Sequence, residues 1–343
     1  MSSTYGANRG FVKPDYLGIV PPLPRGRALI LVPSLVLALA GRGMAQGLPT
    51  YASVNPAAES RSGVYFQPYL DQEEGWRRSL TLDYASTIEF DDLPVAGYIL
   101  DSEQLRLRLG LSRDLGSGTF LLAEAQMRGA YGGFLDGVID WYHGVFGIEM
   151  PERDRRPRNV FLYDIVLSDG SRVHRSPGNL FLGDARVGLG MRYGGLAQSV
   201  LSVTLPTSTG PDGYGRGVVS VSLLNTLRAR VTDRLTYEGG LGLGYTPTHG
   251  ALAPVQREAF LGASSGLRVR LWGRQSLYGN LVYHSPQYRR SMPALDRREL
   301  TFDFGWVLAS ARGREWRFGM AEDLEPGGPA LDLVFRFGVE GDL

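Results

Sequence analysis

Hydrophobic and polar residues alternate with a period of two along most of the chain, the pattern of a β-strand with one apolar face. In 105–111 every odd position is leucine, while Arg106, Arg108 and Gly110 occupy the even positions. The same alternation recurs in 185–193, 267–271, 300–306 and 331–337. From residue 79 onward this periodicity predicts about twelve amphipathic strands.

The predicted connections alternate between short and long. Tight turns are expected at 115–118, 194–195, 232–234, 273–274 and 312–314, and longer loops at 91–101, 132–183, 208–216, 247–256, 286–296 and 323–328. Short turns on one side and long loops on the other are typical of transmembrane β-barrels, whose short turns face the periplasm. The predicted fold class is therefore all-β: a transmembrane antiparallel up-and-down β-barrel with a helix-containing extracellular loop.

A secreted β-sandwich would also show alternating strands. However, the predicted strands of about 10–14 residues exceed the usual strand length and match a tilted membrane crossing. The last strand, 330–339, is amphipathic with outward Phe335 and Phe337, as expected of an assembly signal. Aromatic residues also stand at predicted strand ends, where membrane-interface girdles occur: Tyr131, Tyr193, Tyr245, Tyr283 and Trp316. These features favour the barrel.

The N-terminal region has the pattern of an export signal. Arg25-Gly-Arg27 precedes the apolar run 28–40, and Gly43-Met-Ala45 forms a small-x-small cleavage site. We therefore predict a signal peptide with an over-long leader over 1–45 and a location in the outer membrane. Residues 46–78 are predicted to form a periplasmic N-terminal segment that could act as a plug, and 79–343 the barrel, with a loop insertion at 132–183.

Composition excludes several functions. The 36 basic and 35 acidic residues nearly balance, so no strong field attracts nucleic acid. The chain has no cysteine, which removes disulfides, thiolate nucleophiles and thiolate metal ligands. Lys13 is the only lysine, so the barrel carries its positive charge on arginine, whose fork of donors suits carboxylates and phosphates. A GC-rich genome would explain the same bias. We expect no nucleic acid, cofactor or metal.

The polar face of each strand should line the barrel lumen. Unpaired charges are costly in a narrow, low-dielectric space, so neighbouring strands should pair them. Inward glycines such as Gly110, Gly188 and Gly190 either keep space clear or relieve the curvature of a closed sheet. The candidate lumen-lining residues of a pore are Asp83, Arg106, Arg108, Glu124, Arg128, Arg186, Arg192, Glu238, Arg268, Arg270, His284, Asp303 and Arg336.

The loop 132–183 departs most from a plain barrel. Helical spacing over 134–146 predicts an amphipathic helix, and 159–167 with 172–174 predicts a hairpin around Asp169-Gly170. The helix is a candidate gate, and it could also lie on the barrel rim or plug the lumen. Its polar residues could form an acid–base dyad or part of a metal site, although no further ligands are evident nearby. The candidate gate residues are Asp136, Asp140, Trp141 and His143.

Several segments are similar to a known family: 133–147, Leu182-Gly-Asp184, 205–210, Asn55-Pro56 and Asp101-Ser-Glu103. In these segments the chain resembles the Gram-negative family DUF3187, a domain of unknown function whose members are taken to be outer-membrane β-barrels. The resemblance implies the fold and the membrane but no reaction. As a departure, such barrels often end on an aromatic residue, whereas this chain continues past Phe337.

From these features we predict a channel or transporter for small solutes through a charged, Arg-rich lumen gated by loop 132–183. The alternatives are a plugged structural or surface barrel and an outer-membrane lipid-modifying enzyme. An enzyme would need a nucleophile beside a base; His284 faces the lumen, but its neighbour Ser285 points the other way. Expected partners are outer-membrane lipids and lipopolysaccharide, the barrel assembly machinery and an unknown small solute.

Overall fold

A computed structural model describes residue 48 and residues 51–62, 75–93, 96–146, 157–211, 213–311, 314–325 and 333–342. The predicted signal peptide and leader, 1–45, lie outside the described residues. No helix among the described residues has the length and apolar character needed to cross a membrane.

Twelve antiparallel strands form a closed β-barrel, as predicted. Three further strands, β4, β5 and β6, belong to the loop between β3 and β7. In chain order the strands are β1 (Trp76–Leu93), β2 (Ala96–Gly116), β3 (Thr119–Tyr131), β4 (Leu162–Val166), β5 (Arg172–His174), β6 (Gly178–Leu182), β7 (Ala185–Tyr193), β8 (Ala197–Leu205), β9 (Ser220–Arg230), β10 (Leu235–Tyr245), β11 (Ala259–Arg270), β12 (Gln275–His284), β13 (Glu299–Ala309), β14 (Glu315–Asp323) and β15 (Leu333–Asp342).

Consecutive barrel strands pair with each other, and the barrel closes where β1 pairs with β15. Asp83 of β1 lies opposite Arg336 of β15 and opposite Arg106 of β2. The alternation of the sequence sets the two faces: Arg106 is 1% exposed, whereas Leu109 on the same strand is 54% exposed. Polar side chains therefore fill the interior, and a belt of aliphatic and aromatic side chains covers the outside.

The prediction of a long loop at 91–101 is wrong. The pairing of β1 with β2 continues without interruption to Leu93 opposite Ala96. Strand β4 adds to the outer edge of this hairpin, opposite 97–101, and Tyr98 and Leu100 are buried on its inner face. This extra pairing and burial keep the residues in a strand beyond the barrel wall. We call this side the long-loop end and the opposite side the short-turn end.

Two α-helices occur among the described residues, α1 (Pro56–Glu59) and α2 (Asp136–Phe146), together with one short 3-10 helix at Ala253–Val255. Helix α2 and the β4–β5 hairpin confirm the elements predicted within loop 132–183. Helix α2 packs on the outer wall, where Leu135 and Ile139 contact Leu333, with Tyr84 and Met320 beside them. These side chains come from strands β1, β14 and β15, so the helix covers the line along which the barrel closes.

A buried carboxylate fixes α2 to the wall. Glu103 points outward from β2 yet is only 1% exposed. Its carboxylate accepts hydrogen bonds from the Tyr84 hydroxyl and the Leu135 backbone N–H, which replace its contacts with water. Gly133 has φ +73° and lies directly over this carboxylate, where any Cβ would overlap the Glu103 side chain. Glycine therefore meets both the backbone and the space requirement at the start of this helix.

The outward belt makes a direct prediction about stability. Leu241 lies at the middle of β10 on the outer face and is 49% exposed. Substitution Leu241→Arg should lower the free energy of unfolding in lipid by about 2–4 kcal/mol, the cost of a charge on the lipid face. Urea titration in liposomes measures this change. Ser168→Arg, in the exposed turn of the β4–β5 hairpin, should change it by less than about 0.5 kcal/mol. Equal effects of the two substitutions would contradict a lipid-facing belt.

Candidate functional site

A short segment of the chain's own N-terminal part lies inside the barrel. Residues 51–62, which we call the inner segment, are buried almost throughout. Tyr51 and Val54 belong to an apolar cluster with inward side chains of several strands, among them Phe120 and Phe260. The inner segment therefore occupies the lumen and contacts the wall from within.

Helix α1 carries the first polar anchor of the inner segment. The Asn55 side-chain oxygen accepts hydrogen bonds from the backbone N–H groups of Ala57 and Ala58, at 2.8 and 3.2 Å, and so caps the helix. The Asn55 amide nitrogen donates to Glu89 Oε1 at 2.9 Å. Because Glu89 belongs to β1, one side chain both starts the helix and holds it to the wall.

Glu59, at the end of α1, provides the second anchor. Its carboxylate lies 2.8 Å from Arg128 Nη2 and 3.6 Å from Arg106 Nη1. Arg106 also donates hydrogen bonds to the backbone carbonyls of Ser53 and Ala52, at 2.5 and 2.9 Å. Two predicted lumen arginines therefore bind the inner segment directly.

The last residues of the inner segment reach the long-loop end. Arg61 donates hydrogen bonds to the backbone carbonyls of Thr246, Pro247 and Arg257, at 2.6, 2.8 and 3.1 Å. Burial lowers the pKa of Arg61, an effect opposed by Tyr288 and reinforced by Arg216. Among the described residues, the contacts of this guanidinium are with carbonyl dipoles and not with a carboxylate.

A serine and a histidine meet at this end. Ser62 Oγ lies 2.7 Å from His284 Nε2, and His284 Nδ1 lies 2.8 Å from the Ser285 carbonyl oxygen. The distances suit a nucleophile beside its base, but both side chains are only 5% exposed. The sequence gives no sign that Ser62 lies beside His284, since the two residues are 222 positions apart. The geometry fits a buried clamp on the inner segment.

Asp83 is the centre of the lumen charges. Its carboxylate lies 2.6 Å from Arg106 Nη2 and 2.6 Å from Arg336 Nε, and Arg336 Nη1 lies 3.1 Å from Asp303 Oδ1. Asp83 and Asp303 have 0% exposure. These four charges neutralise each other across strands β1, β2, β13 and β15, as electrostatics in a low-dielectric interior requires.

The remaining predicted lumen residues fall into three groups. Buried ion pairs join Arg186 to Glu124, Arg228 to Glu238 and Arg268 to Glu315, at 2.7, 2.8 and 2.9 Å. Arg192 pairs with Asp114 near the short-turn end, and Arg270 is exposed there. Arg108 differs from both groups: it is buried, and its Nη1 and Nη2 have no hydrogen-bond partner among the described residues.

Two inward glycines do not leave open space. A Cβ on Gly190 would lie 2.1 Å from the Phe120 ring, and one on Gly244 would lie 2.0 Å from the Phe260 ring. The room made by these glycines is therefore filled by aromatic rings of neighbouring strands, which are the rings that contact the inner segment.

An apolar cluster covers the long-loop end. It combines inward residues of β2, Ala57 of the inner segment, the β4–β5 hairpin and the loops after β8, β10 and β12. Tyr163 and Ile165 of β4 are 1% and 0% exposed within it. The part of loop 132–183 that covers the lumen is therefore the hairpin.

The predicted gate residues lie elsewhere. Trp141 is 69% exposed on α2, Asp140 pairs with Arg158 at 2.6 Å, and Asp136 accepts a hydrogen bond from the Asn159 backbone N–H at 2.6 Å. The His143 side chain lies outside the described part of the structure. With α2 on the outer wall, the described contacts join these residues to the loop rather than to the lumen.

A cavity of about 440 Å³ opens at the long-loop end beside the inner segment. Its lining includes four arginines and, among the described lining residues, one carboxylate, Asp184. Asp184 accepts hydrogen bonds from the backbone N–H groups of Arg216 and Ser208, at 2.8 and 3.1 Å. The lining arginines are Arg61, Arg172, Arg175 and Arg216.

Arg175 lies against two tyrosine rings. Its guanidinium carbon lies 4.1 Å from the centre of the Tyr163 ring and 5.6 Å from that of Tyr214. Burial raises the pKa of Tyr214 to about 12 and that of Tyr163 further, so both phenols stay neutral near pH 7. The described residues contain no group of three or more His, Asp or Glu side chains that could hold a metal ion.

A family model and one solved structure support the fold. The model of a family described as "Protein of unknown function (DUF3187)" matches residues 36–339. A crystal structure of an outer membrane channel from Pseudomonas putida F1 is similar with a TM-score of 0.52 and 12% identity, covering 80% of this chain and 99% of that one. A toluene transporter from Ralstonia pickettii gives a TM-score of 0.42 and 9% identity, covering 85% and 98% of the two chains. No curated protein matches the chain.

The Asp83 network predicts a large loss of stability when its centre is removed. Asp83→Ala leaves Arg106 and Arg336 buried with one fewer countercharge each, which should lower the free energy of unfolding by about 3–5 kcal/mol. Asp233→Ala removes an exposed ion pair with Arg230 and should cost less than about 1 kcal/mol. Urea unfolding in liposomes compares the two. A loss at Asp83 no greater than at Asp233 would refute the proposed network.

Proposed function

Because the chain belongs to the family DUF3187, whose function is unknown, its activity must be inferred from its own lumen, and we propose that it is a gated outer-membrane channel for small polar solutes. In this proposal the inner segment is the plug, and the β4–β5 hairpin of loop 132–183 is the extracellular cover. The short-turn end faces the periplasm, as in other transmembrane barrels.

The observation that carries the proposal is the polarity of the interior. Arg108 Nη1 and Nη2, Gln104 Nε2, Glu299 Oε2 and Asp303 Oδ2 are buried without a hydrogen-bond partner among the described residues. Charged and amide groups are stable in such positions when water solvates them. A lumen that needs water along its wall is suited to polar solutes.

The plug is held by non-covalent contacts, which makes it displaceable. The inner segment binds the wall through Glu59, Arg61 and Ser62, and no cysteine exists to fix it covalently. Each hydrogen bond to a charged group contributes about 1.5–3 kcal/mol. Several such contacts together keep a channel closed, yet a change in a few of them shifts the equilibrium by orders of magnitude.

One observation favours a second function, that of a permanently plugged structural or surface barrel. Tyr51 and Val54 are 2% and 0% exposed within an apolar cluster that includes residues of eight wall strands, which is the packing of a permanent core. A barrel plugged in this way would be a structural or surface protein. Conductance separates the two functions because only the channel carries current.

Weakening the plug should open the channel. Glu59→Gln removes the ion pairs to Arg128 and Arg106, and Arg61→Gln removes the charge behind three hydrogen bonds to carbonyls. In planar-bilayer recordings of the full-length protein, each substitution should raise the open fraction about tenfold or more. Arg298→Gln is the matched control, because Arg298 pairs with Glu325 outside the lumen. If neither the wild type nor either plug variant carries current, the result favours the permanently plugged barrel.

Removing the β4–β5 hairpin should raise the current through the channel independently of the plug substitutions. Replacing 159–175 with a short Gly/Ser linker removes β4 and β5 but keeps α2 and β6. This variant should conduct more current at each opening, because the hairpin no longer closes the long-loop end. Trp141→Ala on α2 is the control in the other half of the loop and should leave the current unchanged, because α2 lies on the outer wall. The opposite pattern would assign the gate to α2.

A further inference from the structure

Arg175 is a buried cation aimed into the 440 Å³ cavity. It is 7% exposed, and its Nε and Nη1 are buried without a hydrogen-bond partner among the described residues. The Tyr163 ring, 4.1 Å away, partly offsets the loss of water through a cation–π contact. Two nitrogens of the guanidinium, with three N–H groups between them, are nevertheless left for a ligand.

The site is shaped around this guanidinium. Gly213 has φ +86°, and a Cβ there would lie 1.7 Å from Arg175 Nη2. The Arg175 backbone N–H donates to the Tyr163 carbonyl at 2.9 Å, which ties the residue to strand β4. Glycine on one side and an aromatic ring on the other therefore hold the fork of donors in one place.

The cavity carries a surplus of positive charge. Arg172 is neutralised by Asp164 at 2.7 Å, and Asp184 lies 3.6 Å from Arg216 Nη1. Arg61 binds backbone carbonyls, and Arg175 has no carboxylate among its described contacts. Within the described part of the chain, these two guanidiniums thus have no carboxylate in direct contact, and they lie in a partly closed space, where the attraction for an anion is strong.

We infer that this cavity binds the oxyanion group, carboxylate or phosphate, of a small solute, with Arg175 as the principal donor and Arg61 adding charge. A guanidinium fork forms paired hydrogen bonds with either group. The volume lies within the range of sites for small organic molecules. Calling the ligand a transported solute rests on the proposed channel function, whereas the binding itself does not.

Binding is tested with the full-length protein in detergent by isothermal titration calorimetry. The probes are inorganic phosphate and succinate, with glycerol as an uncharged control. Arg175→Gln should weaken binding of the recognised oxyanion about tenfold or more, the effect of losing a hydrogen bond between charged groups. Arg298→Gln, which removes the same charge from the same end of the barrel outside the cavity, should leave the affinity unchanged.

A second variant covers the case in which Arg175→Gln does not fold. His249 is exposed at the cavity rim, so His249→Asp places a carboxylate there without disturbing the core. It should weaken oxyanion binding more than His249→Asn does.

Binding of phosphate alone or of succinate alone, sensitive to these variants, identifies the group and supports the inference. No binding of either probe, or binding equal in Arg175→Gln and Arg298→Gln, overturns it. Conductance measured in parallel keeps the two proposals apart: current without binding refutes only the oxyanion site, and binding without current refutes only the channel.

Discussion

The structure depends on one electrostatic constraint: a charge inside the barrel must meet an opposite charge, a dipole or water. Asp83 satisfies it by lying between Arg106 and Arg336, and the wall alone does not complete the pattern. Arg106 and Arg128 also need Glu59 and the backbone carbonyls of the inner segment. The barrel and the segment within it are therefore one electrostatic unit.

The same constraint applies at one end of the lumen. At the long-loop end, tyrosine rings and apolar side chains form a cluster next to the arginine-lined cavity, so charged and apolar surfaces meet there. Arg61 and Arg175 lie near this boundary, and their charges rest on carbonyls and ring faces. A solute moving through this region would exchange one kind of contact for the other, which is why the cover and the plug both bear on permeation.

The sequence predicts the fold well because period-two alternation is a local signal. It places Asp83, Arg106 and Arg336 on the inner face, and the helix and hairpin of loop 132–183 follow from equally local patterns. It fails at 91–101, where the strand is maintained by pairing with β4, more than sixty positions away along the chain. Contacts between distant residues leave no periodic trace, so Ser62 beside His284, 222 positions apart, is visible only in three dimensions.

Helix α2 also bears on the order of assembly. Its seat is made of Tyr84 from the first barrel strand together with Met320 and Leu333 from the last two. These side chains come together only when β1 and β15 pair and the cylinder closes. The helix, although it comes early in the chain, therefore has a complete docking surface only when the last strand has paired. Its docking over Glu103 then acts as a latch that favours the finished barrel over an open sheet.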